Sequence, residues 1–256
     1  MAVDRTGAGD PARTLELLWR AQQPVRRRRG PLQGRSIDAV VVNAIELADA
    51  EGLEGLTMRR IAERVGISPM SVYTYVPGKA ELLDLMLDSV YADMPRPRWR
   101  TKSWRGRLTL VARRNRELFM AHPWAAGVVS LSRPPLGPGL MAKYEHELSA
   151  FDDTGLDDVP LDAALTYLLG FVQASARAAA EVDAVRRESQ IDDAAWWEAN
   201  APLLSRIFDE KSYPRAVRVG AAAGAAQGAA YHPDHAYEFG LQRVLDGLGV
   251  LIGERT

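Results

Sequence analysis

Residues 57–75 read TMRRIAERVGISPMSVYTY and predict two short helices joined by a tight turn. Apolar residues recur at three- and four-residue steps after Thr57, whose side chain can cap the first helix. Gly66 is expected to end that helix, because glycine readily adopts the positive φ of a helix C-terminus. Ser68 and Pro69 are expected to begin the second helix, with serine as the cap and proline at the first helical position.

Two such helices are typical of a helix-turn-helix, in which the second helix places its N-terminal residues on base edges in the major groove of DNA. Hydroxyl and aromatic side chains suit phosphate hydrogen bonds and contacts with thymine methyl groups. A generic helical hairpin, with its tyrosines in an ordinary core, is the alternative that the pattern leaves open. The side chains expected to point outward are Ser68, Met70, Ser71, Tyr73, Thr74 and Tyr75.

The pattern on either side of these helices is helical too. Residues 37–51 form an amphipathic repeat that Ser36 can cap, and a further helix is expected between the turn at 77–79 and Pro95. Beyond Pro95 the chain reads as helices separated by turns, and the last helix is expected over 234–252. No stretch predicts a strand, so the predicted fold class is all-α.

Two stretches are expected to have no fixed fold. Residues 1–35 contain glycine, proline and an arginine run, and they predict a flexible arm apart from a short amphipathic turn around Leu15 to Trp19. Residues 220–230 are rich in alanine and glycine, which favours a mobile loop over a packed helix.

The composition is that of an ordinary globular chain, with 256 residues of which 47% are hydrophobic and 25% are charged. The apolar runs fall far short of the roughly 18 to 20 residues that span a bilayer, and the N-terminus lacks an apolar signal segment. We therefore expect a cytoplasmic protein without a membrane partner. With no cysteine and four histidines, the sequence excludes thiolate metal sites and cysteine nucleophiles and predicts neither a cofactor nor a metal.

Positive charge is concentrated in two places, although the formal net charge is only -1. Residues 1–35 carry eight arginines and three acidic residues; Arg26 to Arg29 could contact DNA phosphates or the minor groove, or could form a solvated tail. Residues 96–116 carry nine basic residues and no acidic one. For Arg96 to Arg107 in this second cluster we favour a surface or interdomain role over direct contact with DNA.

Residues 48–83 resemble the DNA-binding domain of the TetR family of transcriptional regulators, and the likeness extends from Ser36 to about Asp93. The quoted stretch and the following VPGKAELL carry it. By this resemblance Tyr73 and Lys79 contact phosphate, and the N-terminal helix dipole at the lysine also favours an anion. Thr57 and Arg59 would join them. Tyr75 departs from the family, which often has histidine at that position.

A weaker resemblance covers the C-terminal part. The motifs at 122–124, 133–138 and 240–248 resemble the regulatory domain of the tetracycline-repressor branch. Members of this branch are all-helical homodimers that enclose a small-molecule effector and bind a palindromic operator in double-stranded DNA, and repression is the family default. Tetracycline itself is not implied, because members of the branch respond to many ligands.

A set of aromatic and polar residues is expected to line the effector pocket, although an aromatic residue at helical spacing is also a common core residue. His122 has three readings: an effector contact, a metal ligand as in the member that binds tetracycline with magnesium, or a helix end before Pro123. The candidate residues are Asn115, Phe119, His122, Trp124, Tyr144, Tyr167, Phe171, Gln173, Arg177 and Trp196.

Dimerisation is expected to be part of the function, because one reading helix contacts only a few base pairs. The helices around 160–181 and 234–252 are the predicted interface; plain core helices of a monomer are the alternative. An effector can lower operator affinity only if it binds better to a spacing of the two reading helices that does not fit DNA. The pocket must therefore be coupled to the helix that follows residue 79.

These predictions divide the chain into a basic arm at 1–35, a DNA-binding domain at 36–94, and an effector-binding and dimerisation domain at 95–256. An enzyme is not expected, because acidic pairs such as Asp152-Asp153 lie in turn-like stretches without catalytic partners. A helical effector-binding or protein-interaction module without DNA activity is the remaining alternative.

Overall fold

The computed structural model describes residues 5–22, 36–99 and 103–253, and within these residues it contains helices and no strand. The predicted all-α fold class is confirmed. The α-helices are α1 (Pro11–Leu18), α2 (Ile37–Gly55), α3 (Met58–Val65), α4 (Pro69–Tyr75), α5 (Lys79–Ala92), α6 (Trp104–Ala121), α7 (Pro123–Val128), α8 (Pro138–Leu148), α9 (Asp158–Ser189), α10 (Asp193–Ile207), α11 (Pro214–Gln227) and α12 (Pro233–Gly253), with 3-10 turns at Arg20–Gln22 and Ser149–Phe151.

Helices α2, α3 and α4 form a small unit around fully buried apolar side chains such as Ile61, Ala62 and Val72. α3 packs against both α2 and α4. The regular part of α2 is interrupted at Gly52, whose φ is 72°. An ordinary side chain would be strained at that φ, which explains the glycine.

Helix α5 connects this unit to the rest of the molecule, because it packs against α1, α2 and α8. The carboxylates of α5 make buried contacts, as its apolar residues do. Asp88 accepts hydrogen bonds from the N–H groups of Gly139 (3.1 Å) and Leu140 (2.8 Å) at the start of α8. Gly139 is required there, because a Cβ atom would lie 2.0 Å from the Asp88 carbonyl oxygen.

The C-terminal core is built from α6, α9 and α12, which pack against one another. The 32-residue α9 is long enough to cross a membrane, and its most apolar 18-residue window has a mean hydropathy of 1.2. Its buried face, which includes Leu165, Leu168 and Val172, packs in this core. Of that window, 33% is buried within the chain.

The expected mobile loop at 220–230 is wrong, because residues up to Gln227 belong to α11. Alanine has the highest helix propensity, and here it outweighs the cost of the interspersed glycines. Gly228 ends the helix with a φ of 68°. None of the residues described in α10 and α11 is buried.

The expected flexible arm is also wrong for residues 5–22, which contain α1 and pack against α5. Asp10 caps α1 by accepting the Arg13 N–H at 3.0 Å, and Pro11 occupies the first turn. Leu17 and Leu18 are buried, so tertiary packing stabilises a helix too short to be stable alone. The run Arg26 to Arg29 lies outside the described residues.

Arginines of the 96–116 cluster hold helix ends together. Arg96 donates to the carbonyls of Tyr91 (3.1 Å) and Ala92 (2.8 Å) at the end of α5. Arg107 donates to the Ala150 carbonyl at 2.8 Å. The Arg96 contact joins the C-terminal part of the chain to α5, whereas the Arg107 contact lies within the C-terminal part. Arg100 and Lys102 lie outside the described residues.

Asp84 in α5 is expected to make the free energy of unfolding depend on pH. Burial raises the pKa of Asp84 from 3.8 to about 6, against the lowering effect of the Gly7 N–H; the Glu81 charge raises it further. Its Oδ2 has no hydrogen-bond partner among the described residues. Because the folded protein binds this proton more tightly than the unfolded chain, the stabilisation is complete below about pH 4 and is lost as the pH rises through about 6.

The variant Asp84→Asn removes this ionisation. We expect its free energy of unfolding to exceed that of the wild type by about 1–3 kcal/mol at pH 7.5 and to be nearly equal at pH 4. Urea unfolding at both pH values measures the difference. Asp93→Asn, at the exposed end of the same helix, is the matched control. A difference that does not change with pH would contradict the prediction.

Candidate functional site

The motif at 57–75 forms the predicted helix-turn-helix, with each predicted cap in place. The Thr57 hydroxyl accepts the Arg60 N–H at 3.3 Å, and the Ser68 hydroxyl accepts the Ser71 N–H at 3.2 Å. Gly66 ends α3 in the left-handed conformation with a φ of 73°. Both helices of the motif are therefore fixed by local hydrogen bonds before any DNA is bound.

The outer face of α4 is exposed. Met70 is 75% exposed and Tyr73 is 47% exposed, although both are large side chains that would ordinarily be buried. Ser68 and Thr74 are exposed as well, whereas Ser71 is half-buried. Tyr75 is different from the outward position predicted for it, because it is half-buried and packs against the core.

The basic residues around this face are held by neighbours. Arg59 is exposed at the start of α3, where its Nε donates to Glu63 Oε1 at 3.0 Å. Lys79 occupies the first position of α5, and its Nζ donates to the Leu53 carbonyl at 3.0 Å. The cap residue before it, Gly78, supplies no side-chain hydrogen bond. The first N–H groups of α5 therefore have no side-chain cap from this residue and suit a phosphate oxygen.

A cavity of about 350 Å³ lies between α5, α6, α8 and α9. The segment 129–136, which we call the wall segment, closes one side of it. Aromatic and aliphatic side chains form most of the surface, and a few polar groups point into it. The lining residues used below are Leu87, Tyr91, Asn115, Phe119, Lys143, Tyr144, Asp162 and Gln173.

A buried ion pair lies beside the cavity, and its Lys143 lines the wall. Lys143 Nζ lies 2.6 Å from Glu147 Oε2, and the two side chains are 6% and 4% exposed. Asn115 Nδ2 donates to the other oxygen, Glu147 Oε1, at 2.6 Å. The Lys143 ammonium also lies 5.1 Å from the centre of the Tyr91 ring. Burial raises the pKa of the Tyr91 hydroxyl, and the charges of Glu147 and Asp88 raise it further.

Two further polar groups flank this pair. The Tyr144 hydroxyl donates to Asp162 Oδ1 at 2.7 Å, and this bond raises the pKa of Tyr144. Gln173 Nε2 donates to the Ala126 carbonyl at 2.9 Å, which leaves the amide fixed beside the cavity. The cavity thus combines apolar surface with fixed hydrogen-bonding groups, as small-molecule sites do.

Four of the predicted effector residues line this cavity: Asn115, Phe119, Tyr144 and Gln173. The structure places the others elsewhere. Tyr167 is 62% exposed on α9 and Trp196 is 47% exposed on α10. Phe171 stacks on Tyr237 of α12, with ring centres 5.8 Å apart. Arg177 donates to the Ala126 carbonyl at 2.6 Å near the end of α7.

His122 and Trp124 join the two parts of the chain. His122 Nδ1 lies 2.9 Å from Asp49 Oδ1, and Trp124 Nε1 donates to the same carboxylate at 2.7 Å. Asp49 belongs to α2, so this contact ties α7 to the unit that contains the helix-turn-helix. His122 also ends α6 before Pro123, the third of its readings.

Sequence reasoning missed Lys143 and Asp162 as cavity residues, and it missed Glu147 as the buried partner of Lys143. Charged side chains favour solvent, and a Lys-x-x-x-Glu spacing is typical of a surface pair on a helix, so the sequence gives little reason to expect them there. The one available signal was that this spacing lies beside Tyr144, which is itself one of the predicted effector residues.

Family models match both parts of the chain. Residues 40–86 match the model for bacterial regulatory proteins of the tetR family, and residues 96–252 match the tetracyclin repressor-like C-terminal domain. The chain belongs to the TetR family of transcriptional regulators. TetR-family proteins are not enzymes, which confirms the expectation for this chain.

Relatives of known role show the same family. The HTH-type transcriptional repressor DrrR1 of Streptomyces coeruleorubidus is 40% identical over 256 residues, 99% of this chain and 91% of the relative. The crystal structure of apo ActR from Streptomyces coelicolor has a TM-score of 0.70 and 27% identity, and covers 88% of this chain and 100% of ActR. The structure of ActR in complex with actinorhodin has a TM-score of 0.69 and 28% identity, and it also covers 88% of this chain and 100% of ActR.

Proposed function

We propose that this TetR-family regulator is a cytoplasmic repressor that binds a palindromic operator as a homodimer and is released by a small-molecule effector in the 350 Å³ cavity. We further propose the division into a DNA-binding domain at 36–94 and an effector-binding and dimerisation domain at 95–256, preceded by residues 1–35.

The observation that carries this proposal is the position of α5. Its first residue, Lys79, lies beside the helix-turn-helix, while Leu87 and Tyr91 line the cavity. At 1.5 Å per residue, Lys79 and Tyr91 are roughly 18 Å apart along one helix. A ligand that displaces the cavity end of α5 therefore also displaces the end beside the DNA-binding surface.

On the DNA side, the exposed face of α4 supports contacts with base edges by Ser68, Met70, Ser71 and Thr74. Tyr73 and Lys79 would contact phosphates, joined by Thr57 and Arg59 from the start of α3, with Tyr75 at the edge of the face. Residues 57–79 carry four basic side chains and one acidic side chain. This local excess of positive charge suits a phosphate backbone.

Exposed apolar side chains on α9 and α12 support the homodimer. Tyr167 and Val159 of α9 are 62% and 81% exposed, and Phe239 and Val250 of α12 are 59% and 61% exposed. α9 and α12 pack together within the chain, so a second copy can cover both helices at once. Sedimentation equilibrium of the full chain at micromolar concentration is expected to give the mass of a dimer.

The cavity supports a flat, largely apolar effector with several oxygen atoms. Phe119 and Tyr91 offer aromatic surface, while Asn115, Tyr144 and Gln173 offer hydrogen bonds. Actinorhodin is bound in one of the ActR structures. We therefore propose an aromatic metabolite as the effector, without a metal or a protein cofactor.

The test is a release assay. A fluorescein-labelled duplex selected by the protein from random DNA is bound, and planar aromatic metabolites, actinorhodin first, are titrated into the complex. We expect a compound that raises the melting temperature of the protein to lower the fluorescence anisotropy of the duplex. Compounds that bind the protein and never release the duplex would contradict the proposal and favour a binding module without DNA activity.

A further inference from the structure

Residues 5–22, which we call the strap, contact the wall segment of the cavity at both of its ends. The Thr6 hydroxyl accepts the Ser130 N–H at 3.1 Å, and the Thr6 N–H donates to the Val128 carbonyl at 3.0 Å. At the other end, Trp19 Nε1 donates to the Leu136 carbonyl at 2.7 Å. Ser130 and Leu136 both line the cavity.

The strap also contacts α5 and α2. The Gly7 N–H donates to Asp84 Oδ1 at 3.0 Å, and the Asp10 N–H donates to Glu81 Oε1 at 3.1 Å, both on α5. Arg20 forms an ion pair with Asp38 near the start of α2. The strap is therefore a second connection between the cavity and these helices, besides α5 itself.

The packing between the strap and the wall segment is close. Gly7 has a φ of 68°, and a Cβ atom at this position would lie 2.5 Å from Arg133 Cβ. Thr6 is only 3% exposed. The Ser130 N–H and the Leu136 carbonyl of the wall segment are thus paired with side chains of the strap, so movement of the wall segment breaks these bonds or moves the strap.

We propose that the strap is a positioning element of the effector site. It holds the wall segment over the cavity and transmits displacement of that segment to α5 and α2. Thr6 and Trp19 are the positioning residues, because each uses a side-chain atom to hold one end of the wall segment. The transmission half of the inference rests on the proposed function, whereas the positioning half concerns this chain alone.

The first experiment measures amide hydrogen exchange by mass spectrometry in the full chain. The variant Thr6→Val with Trp19→Phe keeps the approximate shapes and removes the hydroxyl and the indole N–H. We expect exchange in 129–136 to accelerate about tenfold, with little change in α12, which lies in the C-terminal core. Thr6→Ser alone should exchange as the wild type does, because it keeps the hydroxyl.

Arg13→Gln is the matched control, because Arg13 lies on the exposed side of α1 and forms its ion pair with Glu16 of the same helix. It should leave exchange in 129–136 unchanged within about twofold. If amide exchange in the double variant accelerated equally throughout the chain, α12 included, the strap would only stabilise the fold, and the inference would be overturned. Unchanged exchange in 129–136 would overturn it too.

The second experiment repeats the exchange measurement with the duplex selected from random DNA. We expect the duplex to slow exchange of 129–136 in the wild type and in Arg13→Gln, and to lose this effect in the double variant. Equal slowing in the double variant would overturn the transmission half. Failure to select any duplex would count against the proposed function, while the first experiment would still decide the positioning half.

Discussion

Replacing Tyr73 and Lys79 together by alanine is expected to weaken binding to the operator duplex by about 100-fold or more. Each side chain is expected to contact a phosphate, and a hydrogen bond to a charged group contributes about 1.5–3 kcal/mol. A dimer loses each contact twice. Fluorescence anisotropy titration of the selected duplex at fixed salt measures the loss.

A matched control comes from the turn between α10 and α11. Lys211→Ala with Tyr213→Ala removes the same two residue types from exposed positions far along the chain. It should bind the duplex as the wild type does. The dependence of affinity on salt should also become shallower in the Tyr73 and Lys79 variant, because fewer counterions are released. Equal affinity in both double variants would contradict the assigned surface.

Replacing Lys143 by methionine is expected to lower the free energy of unfolding by about 3–5 kcal/mol at pH 7, because it leaves the Glu147 carboxylate buried without its cation. The Glu147 side chain is 4% exposed. Of its contacts with Lys143 and Asn115, the variant keeps the hydrogen bond from the Asn115 amide to Oε1. Urea unfolding followed by circular dichroism measures the change.

The second substitution Glu147→Gln should restore much of this loss. A neutral amide in that position needs no cation and can still accept the Asn115 N–H. Lys211→Met removes a lysine from an exposed position and is expected to change the free energy of unfolding by less than about 0.5 kcal/mol. If Lys143→Met were as stable as this control, the buried ion pair would have no structural role.

The fold was predictable from sequence where local signals and packing agree. Thr57, Gly66 and Ser68 act within a few residues of their own helices, so their caps could be predicted without a three-dimensional structure. The helix within residues 5–22 could not be predicted in this way, because so short a helix depends on burying Leu17 and Leu18 against a distant part of the chain. The helix at 214–227 was missed because glycine was given more weight than alanine.

The two candidate sites differed in how much the sequence revealed. The DNA-binding face follows from helical period and one motif, and Ser71 and Tyr75 proved more buried than expected. The cavity depends on which helices meet in space, and helical spacing does not contain that information. Phe171 and Tyr167 therefore had the same pattern as Phe119, yet one packs on α12 and the other faces outward.

The most direct test of the central claim, that the exposed face of α4 reads DNA, is selection of duplexes from a random pool. The selection is run in parallel with the wild type, the Tyr73→Ala and Lys79→Ala variant, and the Lys211→Ala and Tyr213→Ala control. The account predicts that the wild type and the control enrich the same inverted repeat, with half-sites about one helical turn or a multiple apart, and that the first variant enriches nothing. Enrichment of no sequence by the wild type, or of the same sequence by all three proteins, would contradict it.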